Sequence, residues 1–233
     1  MKMGAHIVST RILQDGLIRQ LEVASLHVKH FDFIKKNIHI ADEMLCRAVQ
    51  DFVILTSVTA VQAWMEIAQK VGLDVLKHRI FCLEQATQSE VLKYHLPIEG
   101  VARDAASLAD IILSNQHIRA VTFICSNLRR DELPSRLRDH GVFVDEWLGY
   151  ITDLTPLKVE KPYDGLLFFS PSAIDSFLLV NPVSESVCFC IGKTTAEHAK
   201  QCGFIQVYTS ETPSSESLVK AVINYYMKYP VHA

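Results

Sequence analysis

The chain has 233 residues, 49% of them hydrophobic and 21% charged, with a formal net charge of −3. That is long for one small domain and about right for two, and without a basic block it argues against nonspecific nucleic-acid binding. No apolar run approaches the roughly 20 residues of a membrane span. The opening "MKMGAHIVSTR" lacks the apolar core of a signal peptide, so the sequence reads as cytoplasmic, with neither a membrane nor a nucleic-acid partner.

In chain order, "AHIVST" predicts a short strand ending at Thr10, and residues 27–37 an extended, mixed-polarity connector. "DFVILTS" (51–57) is a strand followed by a helix over "TAVQAWMEIAQKVG". That helix sets Val61, Trp64, Met65, Ala68 and Val71 on one face and stops at Gly72. "RAVTFICS" (119–126) is a strand, "DELPSRLRDHG" a helix stopping at Gly141, and 142–153 a second extended connector. "DGLLFFS" (164–170), "SVCFCIG" (186–192) and "GFIQVYTS" (203–210) are further strands, and "SESLVKAVINYYMKY" closes the chain as a helix. The near-continuous apolar runs fit strands buried on both faces of parallel sheets flanked by helices, an α/β class.

The chain repeats itself. Residues 51–61, "DFVILTSVTAV", match 164–174, "DGLLFFSPSAI"; residues 80–94 match 188–202; and "RDAASLADII" matches "PSSESLVKAVI". Two similar α/β domains follow. The first is expected over 1–32 plus 156–233, the second over 38–145 inserted into it, and linker strands over 33–37 and 146–155. Two thin linkers would let the domains open and close.

Hydroxyls follow the strands: Thr10, Thr56 and Ser57, Ser126, Ser170 and Ser172, Thr194 and Thr195. Ligands of open α/β sheets bind at such strand ends, where free helix amides attract anions. Each hydroxyl also has a plainer use. Ser172 with Asp175, Thr87 with Glu90, and Thr194 with Glu197 fit capping boxes. Gly192-Lys193-Thr194 resembles the tail of a P-loop, but Val187 stands where that motif needs its first glycine. An anion cradle without a P-loop suits these residues. The six cysteines contain no Cys-x-x-Cys pair and four lie in predicted strands, so they read as buried free thiols; the ten histidines suggest no metal site. No nucleophile elbow and no dinucleotide-binding glycine motif is present. An enzyme built from these parts would work mainly by holding its substrate in one shape.

Four stretches resemble the uroporphyrinogen-III synthase family: "DFVILTSVTAV", "FICSNLRRDELPSRLRDHGVFVDEWLGYIT", "LLFFSPSAIDSF" and "CIGKTTAEHAKQCGF". With "IVSTR" at the start, the likeness runs in order along nearly the whole chain. It implies two α/β domains joined by a two-stranded linker, and a lyase, a cyclising hydro-lyase of tetrapyrrole (porphyrin, heme) biosynthesis; the sequence carries no association motif, so a monomer is expected. The implied substrate is hydroxymethylbilane, a linear tetrapyrrole with carboxylate arms, and no metal or organic cofactor is implied. Loss of the substrate hydroxyl as water would leave an electrophilic carbon. That carbon attacks the far ring at its substituted position, and reopening and reclosing the spiro intermediate inverts ring D.

By the same resemblance, Tyr150 would assist departure of the hydroxyl, although a tyrosine here also suits plain strand packing. Thr194 and Thr195 would contact the acidic arms; Ser57, Ser170 and Ser172 would line the cleft; Arg11 would meet a carboxylate. Independently of the resemblance, Lys193 between Gly192 and Thr194 is expected to form one edge of the anion cradle. Asn127 and Arg129 lie in the matching turn, where Arg129 fits a solvated helix start equally well. Glu84 and Ser126 stand where the family has glycine, and Thr59 where it has asparagine. A carboxylate at Glu84 would repel an anionic arm. These departures keep a second function open, a non-catalytic two-domain tetrapyrrole- or anion-binding regulatory module.

Overall fold

A computed structural model describes residues 4–230. The chain begins with β1 (His6–Ser9), α1 (Asp15–Val23) and β2 (His27–His30), and leaves through β3 (Ile34–Ile38). It continues with α2 (Asp42–Leu45), β4 (Phe52–Leu55), α3 (Val58–Val71), β5 (Arg79–Leu83), α4 (Ala86–Lys93) and β6 (Ile98–Ala102). Next come α5 (Ala105–Ser114), β7 (Ala120–Ser126), α6 (Glu132–Asp139) and the long β8 (Phe143–Leu154). It ends with β9 (Gly165–Phe168), α7 (Pro171–Leu178), β10 (Val187–Cys190), α8 (Lys193–Gln201), β11 (Val207–Thr209) and α9 (Ser215–Lys228). Two compact units result, one of Met1–Lys35 with Asp153–Ala233 and one of Lys36–Thr152.

The first unit carries a sheet ordered β11-β10-β9-β1-β2, with parallel pairing throughout. The second carries β3-β8-β7-β4-β5-β6, parallel from β8 to β6. The sequence repeats map onto this order. The successions β4-β5-β6 and β9-β10-β11 run side by side in their sheets, each strand followed by its helix, while β7-α6-β8 stands to β4 as β1-α1-β2 stands to β9. The matching serines also do the same work: Ser57 caps α3 by accepting from Ala60 N, and Ser170 caps α7 by accepting from Ala173 N.

Both faces of each sheet are covered, because alternate residues of one strand enter opposite cores. In the first unit Val8, Leu166, Phe168, Cys188 and Cys190 pack with α7 and α8, while Ile7, Leu167 and Phe189 pack with α1 and α9. In the second, Val53, Leu55, Ile80 and Cys82 pack with α3 and α4, while Ile54, Phe81 and Phe123 pack with α5 and α6.

Several details differ from the sequence reading. Residues 27–37 do not form one connector: β2 pairs with β1 in the first sheet, and Phe33, fully buried, breaks the run before β3. Residues 146–150 continue the second sheet against β7. The strand β6 has no counterpart in that reading, since "IEGVA" lacks a strong apolar pattern. The buried face of α3 includes Ala60, Ala63 and Ile67, while Val71 is exposed, and its C-cap Gly72 takes the left-handed conformation (φ +68°) that favours glycine. None of the three expected capping boxes forms: the N-caps are Ser170, Gln85 and Gly192, so Ser172, Thr87 and Thr194 lie inside their helices.

Candidate functional site

All strands of the first sheet run the same way, so their carboxyl ends share one edge. At the reversal between β1 and β9, Arg11 follows one strand and Ser170 and Ser172 the other. Sheet edges at such reversals are where ligands of doubly wound folds bind. The Arg11 guanidinium is exposed, with Cζ 5.7 Å from the ring centre of Phe169. The hydroxyls of Ser170 and Ser172 lie 3.0 Å apart. Thr10 is spent internally, donating to Leu167 O at 2.8 Å.

One strand over, α8 starts at Gly192 with no side-chain cap. An uncapped start leaves first-turn amides facing outward at the positive end of the helix dipole. Gly192 is in extended backbone (φ −170°) that any residue adopts, and a Cβ there would meet nothing nearer than Pro213 Cβ at 3.9 Å. Lys193 and Thr194 are exposed at this turn. Thr195 is 3% exposed and packs inward, so the structure separates the two threonines that the sequence pairs.

In the second unit the corresponding edge gathers Ser57 after β4, Ser126 and Asn127 at the end of β7, and Tyr150 on β8. Tyr150 OH lies 3.0 Å from Ser57 Oγ, which also accepts from Ala60 N at 3.1 Å. The tyrosine ring is buried in the core with Trp64, Ile124 and Trp147. Burial pushes its pKa up, opposed by hydrogen bonds to Ser57 and Ser126. The Lys36 ammonium, which the sequence does not single out, stands 5.7 Å from the ring centre.

Tyr150 reaches this face through an irregularity. Trp147 and Tyr150 are three residues apart, and strict alternation would put them on opposite faces. They share a core because the β7–β8 register jumps from Cys125↔Leu148 to Ser126↔Tyr150, leaving Gly149 as a bulged residue. A Cβ on Gly149 would lie 2.5 Å from Ile124 Cγ2 and 3.1 Å from Ala63 Cβ, so only glycine fits.

The remaining residues of this turn are engaged elsewhere. Asn127 grips the backbone of Thr152, accepting from its N–H at 2.8 Å and donating to its carbonyl at 3.3 Å. Arg129 is not a solvated helix-start residue. It pairs with Glu146, which also holds Arg138, and its Nη1 lies 2.8 Å from Asp131 Oδ1. Burial disfavours its charge, but these carboxylates outweigh that and raise its pKa. Glu84 is exposed, and Ser126 accepts from Leu128 N at 3.2 Å while its hydroxyl donates to Tyr150.

The fold and its strand-end hydroxyls define a two-domain, doubly wound α/β protein with a polar edge suited to anions on one unit and a buried phenol at the edge of the other. The family model described as uroporphyrinogen-III synthase HemD matches residues 13–220, and the chain belongs to that family, one of enzymes of heme biosynthesis. A mutant uroporphyrinogen III synthase from the extremely thermophilic bacterium Thermus thermophilus has a similar structure, with TM-score 0.75 and 16% identity over 97% of this chain and 100% of that one. Uroporphyrinogen-III synthetase from Helicobacter pylori gives TM-score 0.66 and 17% identity over 95% and 99%. At these identities the structural likeness establishes the fold. No curated protein matches the chain by sequence. Among the described residues, no helix is long and apolar enough to cross a membrane.

Proposed function

We propose that the chain is a cyclising hydro-lyase, a uroporphyrinogen-III synthase that converts hydroxymethylbilane to the type III macrocycle with inversion of ring D and loss of one water. The observation that carries this reading is the phenol of Tyr150, protonated at neutral pH as tyrosines ordinarily are and set at a strand-end edge by the Gly149 bulge. A protonated phenol can donate to the departing hydroxyl. The leaving group then departs as water, and the electrophilic carbon so formed attacks the substituted carbon of the far ring. Reopening and reclosing the spiro intermediate inverts that ring. The net change is one water lost, so the proton lent by Tyr150 returns from the substrate as the ring closes.

The first unit's edge supplies the grip. The open amides at the start of α8, with Lys193, Thr194, Ser170, Ser172 and Arg11, suit carboxylate arms. Ser57 orients the phenol and lines the site. Asn127 and Arg129 act on the substrate through the backbone and carboxylates they hold, and Thr195 by anchoring the first turn of α8 in the core. Catalysis of this kind is largely conformational, one closure being favoured over another. We place the enzyme in the cytoplasm as a monomer.

The test is to incubate the purified protein with freshly made hydroxymethylbilane and separate the product isomers after oxidation. Type III product above the no-enzyme control is the expected result. Only type I, equal to the control, rejects the reading, and tetrapyrrole binding without turnover would favour the non-catalytic regulatory module instead.

A further inference from the structure

On the α7–α8 seam of the first unit, three side chains of different chemistry converge. His198 Nε2 lies 2.6 Å from Asp175 Oδ1 and 3.7 Å from Cys202 Sγ, and the three donor atoms all lie within 4.8 Å of one another. Both neighbours approach the same imidazole nitrogen. That nitrogen holds at most one proton, so it can donate to the carboxylate or accept from the thiol, but not both. Three lone-pair donors gathered within 4.8 Å of one another are poorly served by a single proton and well served by a cation.

We propose that Asp175, His198 and Cys202 bind a borderline-soft divalent metal ion of the zinc class, with the fourth position open to water. Imidazole, thiolate and carboxylate are the ligand set such an ion takes, with bonds of about 2.0–2.3 Å. A tetrahedral ion with those bonds separates nitrogen from sulfur by about 3.5 Å and nitrogen from a carboxylate oxygen by about 3.3 Å. The His198–Cys202 spacing is already within a few tenths of that. Asp175 must draw back by about 0.7 Å, and its side chain, 49% exposed, has room to do so. His198 lies on α8 and Cys202 is its C-cap, still in the helical region one turn on, so the two form an i, i+4 pair on one face.

The ion would clasp α7 to α8. Their N-terminal ends carry Ser170, Ser172 and the uncapped turn at Gly192, so the clasp would brace that edge without touching a substrate. Its role is structural, and it stands whether or not the proposed cyclisation is correct. Binding displaces the Cys202 proton to solvent and leaves a thiolate on the metal.

The test uses the metal-stripped full chain and Co2+ as a spectroscopic probe. One equivalent of Co2+ should produce visible d–d bands and a thiolate-to-cobalt charge-transfer band, and Zn2+ should bleach both. Cys202→Ala should remove the charge-transfer band, while Cys46→Ala, which deletes the exposed thiol of the other unit, should keep it. His198→Gln and Asp175→Asn should each weaken Co2+ binding by more than about tenfold, the lower bound even for partners outside the ligand set. A parent protein with no charge-transfer band at saturating Co2+, or a band that survives Cys202→Ala, overturns the site. If Cys202→Ala fails to fold, alkylation mapping of the parent decides: Zn2+ must protect Cys202 and leave Cys46 reactive, and equal labelling of Cys202 with and without Zn2+ overturns it.

Discussion

The hydroxyl of Tyr150 lies 3.0 Å from that of Ser57, and the same Ser57 oxygen caps α3 through Ala60 N at 3.1 Å. Ser57 therefore keeps a partner when the phenol is removed. Tyr150→Phe should cost about 1–3 kcal/mol of stability, the net value of the two hydrogen bonds to Ser57 and Ser126. The proposed proton donor would be gone, so kcat should fall by roughly 10²-fold or more. Turnover and thermal unfolding measured on the same preparation separate these effects. Unchanged kcat would remove Tyr150 from the chemistry and leave it a packing residue.

Gly149 gives a second prediction. Its Cβ would overlap Ile124 and crowd Ala63, so Gly149→Ala must either flatten the bulge or push α3 outward. Overpacking of this kind costs about 1–3 kcal/mol. Flattening would also swing Tyr150 toward the opposite face of the sheet. Urea unfolding should show the loss, and kcat should drop further than in a core variant of equal stability cost. A variant as active and as stable as the parent would mean that the bulge does not aim the tyrosine.

Much of this arrangement is legible in the sequence because strand ends and their hydroxyls are local signals. The paired serines Ser57 and Ser170 are visible as a repeat, and both cap helices. The expected capping boxes fall too far inside: Pro171 occupies the first helical position of α7, which marks Ser170 rather than Ser172 as the cap. The bulge at Gly149 is not legible, since it arises from packing against Ile124 and Ala63, far away in sequence. For the same reason the sequence does not show that Glu146, 17 residues on, holds Arg129. The i, i+4 spacing of His198 and Cys202 is visible in the sequence, but Asp175 lies 23 residues before His198, and only the α7–α8 packing brings it in.

The start of α8 sets function against stability. Gly192 leaves the first-turn amides open, its backbone suits any residue, and its surroundings have room. Gly192→Asp would cap the helix and complement its dipole, adding a few tenths to about 1 kcal/mol. The same carboxylate would occupy the amides and repel an anionic arm. A higher melting temperature with a raised KM is expected. A stabilised variant with unchanged KM would show that the α8 start does not bind the substrate.

Alkaline stability follows from the buried thiols. Burial pushes Cys82 from the ordinary 9.0 up to about 11, and Cys190 to about 12 against the opposing pull of Lys200. Cys125 rises to about 11, chiefly by burial and also by Glu146, while Cys188 rises further still through burial and Cys190. Below the ordinary thiol value both folded and unfolded chains hold these protons, so stability does not depend on them. Above it the unfolded chain releases protons that the folded chain retains, and stability must fall as pH rises until the folded thiols themselves ionise. The urea midpoint should therefore decline between about pH 9 and about pH 11. Cys190→Ala removes one contributing thiol and should flatten that decline by one proton's worth, while lowering the midpoint at every pH through the cavity it leaves. A decline equally steep in parent and variant would show that the thiols are not its source.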